Sequence, residues 1–173
     1  MRLKGFIIFA LLFLFPFFAY SGEDGQHFAS GKNFARTHQM EFAYMQFRDI
    51  VLNYPDSPFR EDALFATGEY FFNISNFNEA AKIFAQFIKE YPDSKAKIIV
   101  LGFLYKIAQE KNDTAQSEKL KTAIVTLQQV SFVFRNSKNY KYRSPSGKQY
   151  RAVIRINQIT LHGDGEILAE ISY

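Results

Sequence analysis

Cysteine and tryptophan are both missing from this 173-residue chain, and histidine occurs only three times, as His27, His38 and His162. Without cysteine there is no disulfide framework, no thiolate metal site, no cysteine nucleophile and no lipid-modified cysteine behind a signal. Three scattered histidines offer little for a metal centre. The sequence also lacks a glycine-rich phosphate loop, a Gly-x-Ser-x-Gly elbow, a His-Glu-x-x-His pair and a calcium loop. Acidic pairs such as Glu61-Asp62 are accounted for by a helix start, where carboxylates complement the dipole. No catalytic residue, metal or cofactor is implied. Charge is nearly balanced, with 21 basic and 17 acidic residues. What the chain does hold is aromatic surface, with 20 Phe and 10 Tyr. At 47% hydrophobic and 22% charged it can build a real core and is neither disordered nor a multi-span membrane protein.

The longest apolar run, Phe6 to Tyr20, stands at the start behind Arg2 and Lys4 and contains Pro16. It is short for a membrane span, ends in Ala19-Tyr20-Ser21, and gives way to polar Gly22-Glu23-Asp24. Residues 1–21 therefore read as a secretory signal cleaved near Ser21–Gly22, with retention as an anchor as the other reading. Cleavage would remove two of the 21 basic residues and leave 19 against 17 acidic ones. An exported chain without disulfides fits a bacterial periplasm, free after cleavage or peripherally bound to the envelope.

The rest of the chain repeats itself. A shift of 37 residues lays Phe28, Ala29, Gly31 and Phe34 on Phe65, Ala66, Gly68 and Phe71, and Ala43 and Phe47 on Ala80 and Phe84. It also superposes Tyr54-Pro55-Asp56-Ser57 on Tyr91-Pro92-Asp93-Ser94. These ten identities exceed the roughly two or three that average composition supplies over such a window. From Gly68, the residues Phe71, Ala80, Phe84 and Pro92 follow at offsets of 3, 12, 16 and 24. A glycine on one helix and an alanine on the next let two antiparallel helices approach closely, with the phenylalanines filling the space beside them. Pro92 ends the second helix.

This pattern resembles the tetratricopeptide repeat, a helix–turn–helix unit of helices A and B. The doubled Y-P-D-S ending, with Pro58-Phe59-Arg60 as a lengthened connection, is similar to the subgroup found in bacterial cell-envelope proteins. Examples are the lipoprotein subunit of the outer-membrane β-barrel assembly machine and the Tol–Pal-associated periplasmic coordinator. The resemblance implies a mainly α fold, a short stack of α-hairpins over 22–129, with repeats at 24–57 and 61–94 and an atypical one at 95–129. In the third unit Ile98, Gly102 and Tyr105 lie 34 residues after Leu64, Gly68 and Phe71. Thr114 and Glu118 stand there where Ala and Phe are expected, and Leu120, Ala123, Ile124 and Leu127 give a helical stripe.

The resemblance further implies a binding scaffold whose A helices line a concave face. The residues carried onto that face are Phe28, Lys32, Arg36, Phe65, Glu69, Phe72, Asn73, Ile99, Phe103 and Lys106. Aromatic anchors among mixed charge suit capture of a protein or peptide. Equally, these phenylalanines can pack against the chain's own terminal segments.

Residues 130–173 change character. Val130, Phe132 and Phe134 alternate, which predicts a short strand. The next stretch carries Arg135, Lys138, Lys141, Arg143, Lys148, Arg151 and Arg155 with no acidic residue, interleaved with Tyr140, Tyr142 and Tyr150. It reads as a basic loop and strand that could bind anions such as lipid head groups or cell-wall polymers, or as a solvated face. Ser144-Pro145-Ser146-Gly147 fits a β-turn. Tyr150, Ala152, Ile154 and Ile156 form one face of a strand, with a bulge expected near Asn157-Gln158. A turn at His162–Gly165 and alternation from Ile167 to Tyr173 complete a β-hairpin. The function these features suggest is a non-enzymatic envelope adaptor. The alternative is an anion- or surface-binding module acting through the basic segment. Nucleic acid is not expected as a partner.

Overall fold

The computed structural model describes residues 22–134, 139–155 and 157–173. Residues 1–21, where a secretory signal is expected, and Arg135, Lys138 and Ile156 lie outside the described residues. Six helices come first: α1 (Glu23–Arg36), α2 (Met40–Asn53), α3 (Arg60–Asn73), α4 (Phe77–Glu90), α5 (Lys97–Glu110) and α6 (Thr114–Phe134). Four strands follow: β1 (Asn139–Arg143), β2 (Gln149–Arg155), β3 (Gln158–Gly163) and β4 (Glu166–Ser172). The fold is thus mainly α, a stack of helical hairpins closed by a C-terminal antiparallel sheet. Among the described residues no helix is long and apolar enough to cross a membrane.

The 37-residue period governs all three hairpins. Helices α1, α3 and α5 begin 37 residues apart, as do α2, α4 and α6. Each hairpin turn holds one non-glycine residue at positive φ, His38 at 59°, Ser75 at 59° and Asn112 at 55°, on the same spacing. The 34-residue offset expected for the third unit is therefore corrected to 37, and the counterpart of Gly68 is Tyr105 rather than Gly102. Packing agrees. A Cβ on Gly31 would meet the Phe47 ring at 2.9 Å, and one on Gly68 would meet Phe84 at 2.6 Å, each across its own hairpin. A Cβ on Gly102 would instead strike Leu161 of β3. That glycine makes room for the sheet, not for α6.

The Y-P-D-S ending works as a tie between units. Ser57 Oγ donates to Asp24 Oδ2 at 2.6 Å and accepts from the Phe59 N–H at 3.2 Å. Ser94 repeats this, donating to Glu61 Oε1 at 2.5 Å and accepting from the Ala96 N–H at 3.0 Å. Each serine pins the end of its repeat to the first turn of that repeat's A helix and caps the turn into the next unit. Arg60 adds an ion pair to Glu90 at 3.1 Å.

Two expectations for the C-terminal part are overturned. Helix α6 continues to Phe134, so residues 130–134 are helical and the helical region extends past 129. Three alternating apolar residues cannot distinguish a strand from the end of a helix already under way, whose propagation adds a hydrogen bond per residue. The bulge expected near Asn157-Gln158 is a chain reversal. Asn157 adopts a φ of 63° between β2 and β3, whose pairing runs to Arg155↔Gln158. The single hairpin thereby becomes a four-stranded meander in the order β1-β2-β3-β4. The bulge lies instead between Leu161 and His162, against β4. Asp164 and Gly165, both at positive φ, close the β3–β4 turn.

One face of this sheet is buried, through Tyr150, Ala152, Ile154, Ile159, Leu161, Ala169 and Ile171. These side chains join Leu64, Phe65, Ile99 and Phe103 from the A helices in one core. A smaller cluster around Phe47, Ile50 and Ala63 holds the first hairpin to the second.

Candidate functional site

The inner face of the stack is a row of A-helix positions spaced by 37: Phe28, Phe65 and Gly102, then Lys32, Glu69 and Lys106. The sheet lies across the middle of this row. Of the residues expected to line an open groove, Phe65, Glu69, Ile99 and Phe103 are buried. For these four the structure selects packing against the chain's own C-terminal segment over a free binding surface. The Phe65 ring lies 4.7 Å from Tyr142 and 5.6 Å from Tyr150, and Phe103 lies 5.5 Å from Tyr150. The physical reason is the aromatic inner face itself. Burying a phenylalanine stabilises by about 1.5–3 kcal/mol, and the tyrosine-bearing sheet supplies the cover.

Glu69 is the polar centre of this contact and is 1% exposed. Its Oε2 accepts from Ser146 Oγ at 2.5 Å and its Oε1 accepts from the Tyr150 hydroxyl. Ser146 is linked to Ser144 at 2.7 Å. Burial raises the Glu69 pKa above the carboxylate range, opposed by the donated hydrogen bonds and by the Lys148 charge. The same contact raises the Tyr150 and Tyr142 hydroxyls, through burial first and then through the carboxylates of Glu69 and Asp62 respectively. Tyr142 donates to Asp62 at 3.1 Å, and burial raises the Asp62 pKa as well. Every group in this network is a hydrogen-bond partner of another, so it serves as a latch between helix and sheet.

Two grooves beside the sheet hold the expected residues that it does not bury. Phe28, Lys32 and Arg36 line a groove of about 790 Å³ with Phe59, Asp62, Arg143, Ser144 and Pro145. Its floor is aromatic, with the Phe28 and Phe59 rings stacked at 4.5 Å. Lys32 Nζ stands 5.4 Å from the Phe28 centroid, and Arg36 is exposed on the rim. The second groove, about 420 Å³, gathers Phe72, Asn73, the edge of Phe103 and Lys106 with Lys148, Asp164 and Glu166. Its cations are engaged, Lys106 with Glu110 at 2.7 Å and Lys148 with Asn73 at 3.1 Å.

Of the basic residues within the described segment, Lys141, Arg143, Arg151 and Arg155 lie on strands and Lys148 in the β1–β2 turn. Lys141, Arg143, Arg151 and Arg155 are exposed on the face of the sheet turned away from the helices, while Lys148 turns toward α3. Sequence reasoning missed that Arg143, Ser144 and Pro145 complete the α1 groove, although Ser-Pro-Ser-Gly was recognisable as a turn. Nothing local marks which helix a turn will lie against. Among the described residues no group of His, Asp and Glu is placed to hold a metal ion.

Residues 62–94, covering most of α3, all of α4 and the second Y-P-D-S, match the family model of the tetratricopeptide repeat. That match and the stacked helical hairpins support a tetratricopeptide-repeat protein. Repeats of this family are in general protein–protein interaction modules and non-catalytic scaffolds. A comparison with curated proteins gave no match.

Proposed function

We propose that the chain is a non-enzymatic adaptor of the bacterial cell envelope, exported by its N-terminal segment, that holds a protein partner in the groove between α1 and the β1–β2 turn. One observation carries this reading. The A-helix face is covered at Phe65, Glu69, Ile99 and Phe103 yet stays open at Phe28, Lys32 and Arg36, where the sheet contributes a wall of its own. A stacked aromatic floor gives a partner an apolar anchor point, and the basic rim orients it. The envelope setting is supported by the sequence alone, through the pattern of residues 1–22 and the doubled Y-P-D-S turn.

Crosslinking in the native envelope tests both parts. The wild-type chain is expected to capture a partner that a Phe28→Ser, Arg36→Glu variant loses while keeping its helical circular dichroism. Retention of every partner by that variant refutes the groove. N-terminal sequencing of the exported protein is expected to begin near Gly22, and a cytoplasmic, full-length product refutes the export.

A further inference from the structure

The outer face of the sheet carries charge that the fold does not use. Lys141 on β1 stands directly opposite Arg151 on β2, and Arg151 directly opposite His162 on β3. Like charges facing each other across strands destabilise a sheet, so Lys141 and Arg151 oppose folding rather than support it. None of Lys141, Arg143, Arg151 or Arg155 forms an ion pair with a carboxylate among the described residues. Cations on an edge strand guard against stray strand pairing, which accounts for Lys141 and Arg143. That explanation fails for Arg151 and Arg155, because β2 has a neighbour on each side.

These side chains surround a depression. Lys141, Arg143, Arg151 and His162, with Gln149, line a concavity of about 620 Å³ that no acidic residue touches. Arg143 also lines the α1 groove, so the two depressions share a wall. Lys141 and Arg143 are alternate residues of one strand, about 7 Å apart, which is also the distance between alternate side chains of any extended chain laid beside it.

We propose that the outer face of the sheet binds an acidic, extended segment of the partner that occupies the α1 groove, with alternate carboxylates meeting Lys141, Arg143 and Arg151. The assignment of the ligand to a protein rests on the groove reading; the acidic, extended chemistry rests on the sheet alone. Because the cations are exposed, their removal leaves the core untouched.

The test is fluorescence anisotropy of a short labelled peptide of alternating Glu and Ser, titrated with the full chain. Wild type is expected to bind it, weakening steeply as salt rises. Lys141→Gln with Arg151→Gln is expected to lose roughly tenfold in affinity, the scale of two exposed charge pairs. Phe28→Ser is expected to leave peptide affinity unchanged, so loss of the groove and loss of this site are read separately. Equal binding by the double variant and wild type overturns the proposal. So does binding of short polyphosphate or anionic phospholipid vesicles without binding of the peptide, which would assign the face to phosphate.

Discussion

Glu69 shows how one position can change its task when a second element is added. It stands in the same row as Lys32 and Lys106, which line the grooves on either side of it. Under the sheet it becomes a buried acceptor for Ser146 and Tyr150. Its pKa is raised in the folded state, so the folded protein holds the proton more tightly than the unfolded chain does. The stability this contributes is complete below the unfolded value of about 4.3 and is lost as pH rises through the folded value. Asp62 acts in the same direction and Glu90, lowered mainly by its hydrogen bond from Arg60, in the opposite one. Isolating Glu69 therefore needs a difference curve. Glu69→Gln keeps the shape and lets the hydroxyls rotate to pair with the amide. The Tm of wild type minus that of the variant is expected to fall as pH rises from the carboxylate range toward neutrality. Parallel Tm curves would show that Glu69 keeps its ordinary protonation on folding.

At the scale of the element, the serine of each Y-P-D-S turn is the unit of assembly. Replacing Ser57 or Ser94 with Ala removes one bond to an acid and one to a backbone N–H, at a cost of about 1 kcal/mol or somewhat more each. The two sites are a whole repeat apart and share no partner, so the double variant is expected to lose the sum in urea denaturation. A double variant no weaker than either single one would mean that the turns are held by Pro55 and Pro92 alone. What was legible in the sequence follows the same division. Hairpin spacing, the small residues at helix contacts and the turn prolines act within one repeat, and they placed α1 to α4 correctly. Gly102 misled because it falls 34 residues after Gly68, and the sheet strand it accommodates begins more than fifty residues later. The four strands were half visible, since Asn157 could serve as a bulge or as a turn until β3 had a partner. The α1 groove was legible on its helical wall only. Its other wall comes from a turn whose docking is fixed by Tyr142, Tyr150 and Glu69 together.

For the whole molecule, the sheet is both a lid and a builder of sites. It closes the middle of the inner face, and in doing so brings Arg143, Ser144 and Pro145 beside Phe28 and Lys32. The helices depend on it in turn. Phe65, Ile99, Val100 and Phe103 are buried in a core that includes Tyr150, Leu161 and Ile171, and each large apolar side chain stabilises by about 1.5–3 kcal/mol when covered. Uncovering several of them removes a share comparable to the about 5–15 kcal/mol by which a folded domain is stable at all. A chain ending after Phe134 keeps all six helices in sequence but loses this cover. It is expected to bind a hydrophobic dye, to melt without a sharp transition and to self-associate, while the full chain melts cooperatively. A truncated chain with the melting curve of the full one would show that the hairpins stand alone. The sheet would then be an occupant that can leave the inner face, and Phe65 and Phe103 would return as candidate anchors for a partner.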